Sequence, residues 1–264
     1  MVELEEKVYL SLAAKSGLPL QFVYKEHKLM DILSQLIGLD INSNLPIIMK
    51  GGTALNKIYL KETQRFSEDV DFDYPGNEHN KTKIDKVSIF LKNIKEFEIE
   101  GPWKYHNTVR FHCMYQFREQ KDHLRLEFNL KNELATLEPP VINPIVSNIL
   151  GTSIIGIKSY AFDDLVARKL NALKDRCEGK DVWDCFHALP KTRNIKKAVS
   201  KVLEIDGSEI SVDEFFGMAI TKLENANHEY LLKSTNSYIP VHLRPKDWRD
   251  TIKSLILYLE LAKK

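Results

Sequence analysis

The period of the apolar positions changes along the chain, and each change marks an element. In "LPLQFVYKEHKLMDILSQLIGL", Phe22, Leu29, Ile32, Leu33 and Leu36 recur at helical spacing, so the chain up to about Leu39 is expected to be helical. Pro46 opens a continuous apolar run, Ile47 to Met49, that suits a buried strand. Gly51-Gly52 breaks the run, and Thr53 to Tyr59 reads as a following helix. The period then falls to two: Val70, Phe72 and Tyr74 alternate with Asp69, Asp71 and Asp73. "HNKTKIDKVSIFLKNIKEF" is amphipathic, with Ile84, Val87, Phe90, Leu91 and Ile94 on one side. "TVRFHCMYQF" and "LRLEFNL" alternate again and predict two longer strands, with "REQKDH" as their hairpin loop. From about Ser159 the pattern is helical only, in "AFDDLVARKLNALKDR", "KDVWDCFHAL", "SVDEFFGMAITKLENA" and "PKDWRDTIKSLILYLELA". This order predicts an α+β domain over residues 1–158 and an all-helical C-terminal domain over residues 159–264.

Composition narrows the class without choosing a function. With 43% hydrophobic and 28% charged residues, the chain has the make-up of a soluble globular protein. The longest apolar runs, such as "SLILYLELA", are too short to span a bilayer, and "MVELEEKVYL" is acidic where a secretory signal is basic. A cytoplasmic protein with no membrane partner is expected. Cys113, Cys177 and Cys185 form no Cys-x-x-Cys pair, and the eight histidines include no His-x-x-x-His, so any metal is expected to be held by oxygen. A net charge of +1 leaves nucleic-acid binding to a local basic patch.

The candidate chemistry lies in "IIMKGGTALNKIYLKETQRFSEDVDFDY". Three aspartates on one strand face, about 6.6 Å apart, repel by roughly 2.5 kcal/mol per neighbouring pair at an effective dielectric near 20. A positive partner is therefore expected there. Upstream, glycines let the backbone approach a ligand, and the first turn of a helix offers free N–H groups to phosphate. Lys50, Gly51, Gly52 and Thr53, with Thr53 at or near the N-cap, are the candidate phosphate site. Mg²⁺ suits the acids, since it takes one or two carboxylates together with substrate phosphates. In "LRLEFNL" the polar positions Arg125, Glu127 and Asn129 face the same way, which makes Glu127 the candidate third metal ligand or general base.

"GGTAL" followed by "RFSEDVDF" resembles the AbiEii/AbiGii toxin family of nucleotidyltransferases, within the DNA polymerase beta-like superfamily. The likeness extends to "LVARKLNAL" and "KDVWDCFHAL", roughly residues 45 to 190. The resemblance implies a polymerase-beta-like domain with a small mixed sheet. It implies a Gly-Gly-Thr turn that binds nucleotide phosphates, and catalytic metal, two Mg²⁺ ions, on Asp69 and Asp71. Asp73 lies outside the family's Asp-x-Asp pattern and is expected only in a supporting shell.

On the helix from Ala161, Lys169 falls in the middle of the stripe Phe162, Leu165, Val166 and Leu173, and is expected to reach triphosphate or an acidic partner. Asp181 and Asp184 share a face of the next helix, and the resemblance favours Asp181 as the functional one. Arg65 and Ser67 are expected to orient the aspartates or the phosphates. The expected reaction is transfer of a nucleoside monophosphate from an NTP to a hydroxyl, and the resemblance implies tRNA as acceptor and the toxin role in a toxin–antitoxin pair with a cognate antitoxin as partner. Modification of a protein or small molecule, or a non-catalytic nucleotide-binding module, are the alternatives. Arg168, Lys174, Arg176 and "KTRNIKK" are the basic residues available for RNA phosphates.

Overall fold

A computed structural model describes residues 4–43, 45–134 and 136–264. Two helices open the chain, α1 (Glu6–Ser16) and α2 (Leu20–Ser43). Strand β1 (Ile48–Lys50) runs straight into a single turn, α3 (Gly51–Ala54), continued by a π-helical turn over Leu55–Tyr59. Next come β2 (Asp69–Pro75), α4 (Asn80–Leu91), β3 (Glu98–Tyr105), β4 (Thr108–Phe117) and β5 (Gln120–Lys131). Four short strands follow: β6 (Val141–Ile142), β7 (Ile145–Ser147), β8 (Thr152–Ile154) and β9 (Lys158–Ser159). The remainder is helical: α5 (Phe162–Asp175), α6 (Gly179–Ala188), α7 (Ile195–Ile205), α8 (Val212–Glu224), α9 (His228–Thr235) and α10 (Trp248–Lys263).

Seven strands form one mixed sheet in the order β3-β4-β5-β2-β1-β9-β6. β2 runs antiparallel to β1 and parallel to β5, which places the acidic strand at the centre of the sheet. The alternation in "DVDFDY" explains its setting. Val70, Phe72 and Tyr74 are fully buried, and Phe72 stacks on Phe128 of β5 at 5.0 Å between ring centres. A one-residue slip would expose that whole apolar set, so the register is firmly specified.

Three expectations need revision. The β4–β5 hairpin closes on Phe117 and Gln120, so Arg118-Glu119 alone make the turn and most of "REQKDH" is strand. Arg118 adopts φ +52°, as tight hairpin turns require. β3 and the short strands β6 to β9 lack a clean period-two signal and escape the sequence pattern. The division at residue 158 falls at the start of β9, which pairs with β1 inside the main sheet through Met49 and Ser159. One apolar cluster contains Leu29 of α2, Phe72 of β2, Leu170 of α5, Phe215 of α8 and Leu255 of α10, so the helical half packs into the same core as the sheet. Among the described residues no helix is long and apolar enough to cross a membrane.

Candidate active site

The β1–α3 junction is the tightest point of the site. Gly51 has φ +74°, and a Cβ placed there would lie 2.1 Å from Asp71 Oδ2. A Cβ on Gly52 would come within 2.8 Å of Arg65 Nη2. Glycine is needed at the first position for backbone conformation and space, and at the second for space. The turn is thereby wedged between the acidic strand and a buried arginine.

The three aspartates of β2 have different fates. Asp73 is fully buried, 2.5 Å from Lys50 Nζ, and accepts a hydrogen bond from the Tyr160 hydroxyl. Burial alone would raise its pKa, but Lys50 and Tyr160 hold it below the usual carboxylate value. Asp69 is gripped by Arg125 through Nε at 2.9 Å and through Nη2. The positive partners anticipated beside these acids are thus Lys50 and Arg125 of the chain itself. Asp71 has no hydrogen-bond or ion-pair partner among the described residues. Burial raises its pKa to about 6, Asp69 and Glu127 add to the effect, and Lys50 and Lys169 oppose it.

Asp71 opens into a cavity of about 270 Å³ bounded by the Gly51-Gly52 turn, Lys50, Lys131, Arg168, Lys169 and Arg176. Five cations line it against two carboxylates, Asp71 and Asp206, an excess of positive charge that suits a polyanion. A wider recess at Asn129–Glu133, of about 930 Å³, and an apolar groove beside Ile89 and Ile155, of about 1220 Å³, both lack Asp71 and the turn.

Other candidates support the cavity from outside it. Glu127 stands opposite Asp71 across the β2–β5 pair, as the alternation implied, but its carboxylate accepts from Arg110 Nε at 2.8 Å and lies 2.7 Å from Arg110 Nη2. The three carboxylates Asp69, Asp71 and Glu127 are not gathered into one metal set. Among the described residues, no three His, Cys, Asp or Glu side chains lie close enough to hold an ion. The unpaired Asp71, with Asp69 two residues upstream on the same face, still fits the smaller donor set of Mg²⁺, one or two carboxylates completed by phosphate oxygens.

Thr53 does not face the cavity. It is buried in the first turn of α3, with Oγ1 2.8 Å from Ser67 Oγ and donating to the Asp69 carbonyl. Thr53 and Ser67 therefore fasten the turn to the start of β2. Arg65 is also unavailable to phosphate, since Nε and Nη2 donate to Asp184 at 2.9 and 2.6 Å and Nη1 donates to the Phe66 carbonyl.

Lys169 finds the acidic partner alternative: Nζ lies 2.9 Å from both Asp181 and Asp184 while the residue lines the cavity. Asp181 also receives two hydrogen bonds from Arg176, at 2.8 and 3.0 Å. Burial opposes its ionisation, but Lys169 and Arg176 outweigh this and hold its pKa near 2. Asp181 and Asp184 are thus anchors for cations on α5 and beneath the turn. Asn56 completes the network, donating to Asp184 Oδ1 at 2.9 Å and accepting from the Arg65 N–H at 3.1 Å.

Sequence reasoning missed Lys131 as a lining residue, although it continues the polar alternation of Arg125, Glu127 and Asn129 by one step. Tyr160 and Asn56 carry no period or motif signal. Arg168, whose guanidinium lies 4.1 Å from the Tyr160 ring centre, faces the cavity rather than a solvated helix face.

Comparison with known proteins bears on the fold and the family. Comparison with curated protein sequences gave no match. Among solved structures, the chain is similar to the nucleotidyltransferase toxin MenT4 (Rv2826c) of Mycobacterium tuberculosis H37Rv, with a TM-score of 0.60 and 14% identity over 98% of this chain and 90% of that one. It is also similar to JHP933 from Helicobacter pylori, with a TM-score of 0.55 and 17% identity over 93% of each chain. A putative nucleotidyltransferase from H. pylori gives a TM-score of 0.55 and 16% identity over 93% of this chain and 96% of that one. At these identities the three establish the fold. The family model described as "Nucleotidyl transferase AbiEii toxin, Type IV TA system" matches residues 39–261, which takes in the glycine turn, β2, β5, α5 and α6, and the chain therefore belongs to the AbiEii family of nucleotidyltransferase toxins.

Proposed function

We propose that this nucleotidyltransferase moves a nucleoside monophosphate from an NTP to a hydroxyl of RNA, with tRNA as the acceptor, and releases pyrophosphate. The reading assigns it the toxin role in a pair with a cognate antitoxin, acting in the cytoplasm where NTP and tRNA are at hand. The observation that carries it is the unpaired Asp71 lining a cationic cavity, against a glycine turn where an added Cβ would collide with Asp71 and Arg65.

Lys50, Lys131, Arg168, Lys169 and Arg176 would bind the triphosphate, with backbone N–H groups of the turn approaching it closely. Asp69 and Asp71 would hold Mg²⁺, which when bound supplies charge neutralisation at the phosphates and an acidified attacking hydroxyl. Asp71, which has no ion-pair partner among the described residues, would accept the proton of that hydroxyl. Glu127 is a positioning residue, keeping Arg110 aligned beside Arg125. Fixing phosphate and acceptor in register supplies much of the rate, since the NTP carries its own leaving group.

The test is incubation with each labelled NTP and either total RNA or total protein, with and without chelator. The wild type should label RNA in a chelator-sensitive way, and sequencing of RNA 3′ ends should show added nucleotides that Asp71→Ala abolishes. Label confined to protein would refute the RNA acceptor. An active Asp71→Ala would refute the site.

A further inference from the structure

The sheet face that carries Asp69, Asp71 and Asp73 continues across β5, β4 and β3, and strand register sorts it into three rows. Asp69 stands opposite Arg125, which stands opposite His112. Asp71 leads to Glu127, Arg110 and Trp103. Asp73 leads to Asn129, Thr108 and Tyr105. The other face of these strands is the buried one, with Val109, Phe111, Leu126 and Phe128 in the core.

Trp103 belongs to this face because of a bulge. The β3–β4 register shifts between Glu100, opposite His112, and Trp103, opposite Arg110. In a regular strand, residues three apart point to opposite faces, so the extra residue turns Trp103 onto the side of the acids. The result is an open stack: Trp103 lies 4.5 Å from His112 between ring centres, His112 lies 4.2 Å from His123, and Arg110 lies 4.8 Å from the centre of the Tyr105 ring. Trp103 and Tyr105 are 37% and 51% exposed, although folding usually hides such rings.

Aromatic and imidazole rings beside guanidinium groups, on an open sheet that ends at the reacting carboxylate, match the chemistry of unpaired nucleotides. Bases stack on the rings and phosphates meet the guanidinium groups. We infer that this face of β3, β4 and β5 is a stacking platform for the single-stranded end of the acceptor RNA and delivers its terminal hydroxyl to Asp71. The inference rests on the RNA reading above. Three strand spacings separate β2 from β3, about 14 Å, which accommodates at most about four stacked nucleotides at ~3.4 Å each. Asp69, Glu127 and Glu98 are already paired with Arg125, Arg110 and Lys121, and Glu100 adds a carboxylate opposite His112, so the face has no cationic surplus and stacking, more than phosphate attraction, supplies the affinity.

Trp103 provides its own reporter, because Trp183 and Trp248 are 2% and 1% exposed. Titration of the full chain with a short single-stranded RNA should quench the solvent-exposed tryptophan emission, and a blunt duplex of the same sequence should not. In steady-state transfer assays, Trp103→Ala should raise the KM for RNA about 5- to 150-fold, the equivalent of one lost base stack. It should leave the KM for NTP within about twofold, as expected when a contact far from the triphosphate is lost. Trp103→Phe should restore most of the RNA affinity, and salt should weaken binding only with the shallow slope of one or two phosphate contacts. A wild-type KM for RNA in Trp103→Ala, or equal quenching by the duplex, overturns the platform while leaving RNA transfer intact. Label found in protein and never in RNA overturns the platform together with the RNA reading.

Discussion

Asp184→Ala tests whether the charges beneath the glycine turn are a structural network. Asp184 is fully buried and accepts from Arg65 Nε at 2.9 Å, Arg65 Nη2 at 2.6 Å and Asn56 Nδ2 at 2.9 Å. Lys169 Nζ lies a further 2.9 Å away. Removing the carboxylate leaves Lys169 with Asp181, but leaves the guanidinium of Arg65, itself 2% exposed, facing no counter-charge. An orphaned buried charge costs about 3–5 kcal/mol. At about 2–4 °C per kcal/mol for a chain of this size, the melting temperature should fall by about 6–20 °C.

Thermal melts and urea titrations measure the loss. The design includes the double variant Arg65→Met/Asp184→Leu, which removes the orphan and should recover at least half of it, since a buried pair exchanged for apolar groups is often neutral. Gly52 rests against Arg65, so the single variant should also raise the KM for NTP. A fall of less than about 3 °C, or a double variant no more stable than the single one, refutes the idea that the pair is stabilised by mutual compensation.

Three further outcomes follow from the same geometry. Gly51→Ala forces Cβ into Asp71 Oδ2 at a positive φ, so kcat/KM should fall about 100-fold, the scale of a 1 Å misplacement, and retention within threefold would contradict the wedge. Asp71→Asn should be inactive yet more stable at pH 7.5. A folded-state pKa raised to about 6 means that ionisation above that pH costs the fold up to about 3 kcal/mol, so a lower melting point for the variant would count against the assignment. His187 is held neutral by burial, its pKa lowered to about 4. The stability it confers is full above the unfolded value of 6.5 and is lost as pH falls towards 4, so His187→Leu should flatten the stability–pH curve in that window.

The elements that can be read along the chain are those whose period is local. The alternation in β2, β4 and β5 and the stripe on α5 reappear as buried faces, and the glycine turn lies where the apolar run breaks. The site was partly legible for the same reason. Asp69, Asp71 and Glu127 do share a sheet face, and Lys169 does reach acids. The period failed where a bulge or a short pairing breaks it, as in β3 and β9.

Residue type and spacing along the chain thus settled which side chains point together, because pleat and helix pitch are properties of the backbone itself. They left open which opposite charges meet. Arg65 and Asp184 are 119 positions apart, and Arg125 and Asp69 are 56 apart. Only the packing of α6 under the glycine turn, and of β5 against β2, turned Arg65 and Asp69, expected at phosphate and metal, into members of ion pairs, the first buried and the second part-exposed. The same packing left Asp71 with no partner among the described residues, since the interaction energy of two charges depends on their distance and burial, neither of which is written in sequence order.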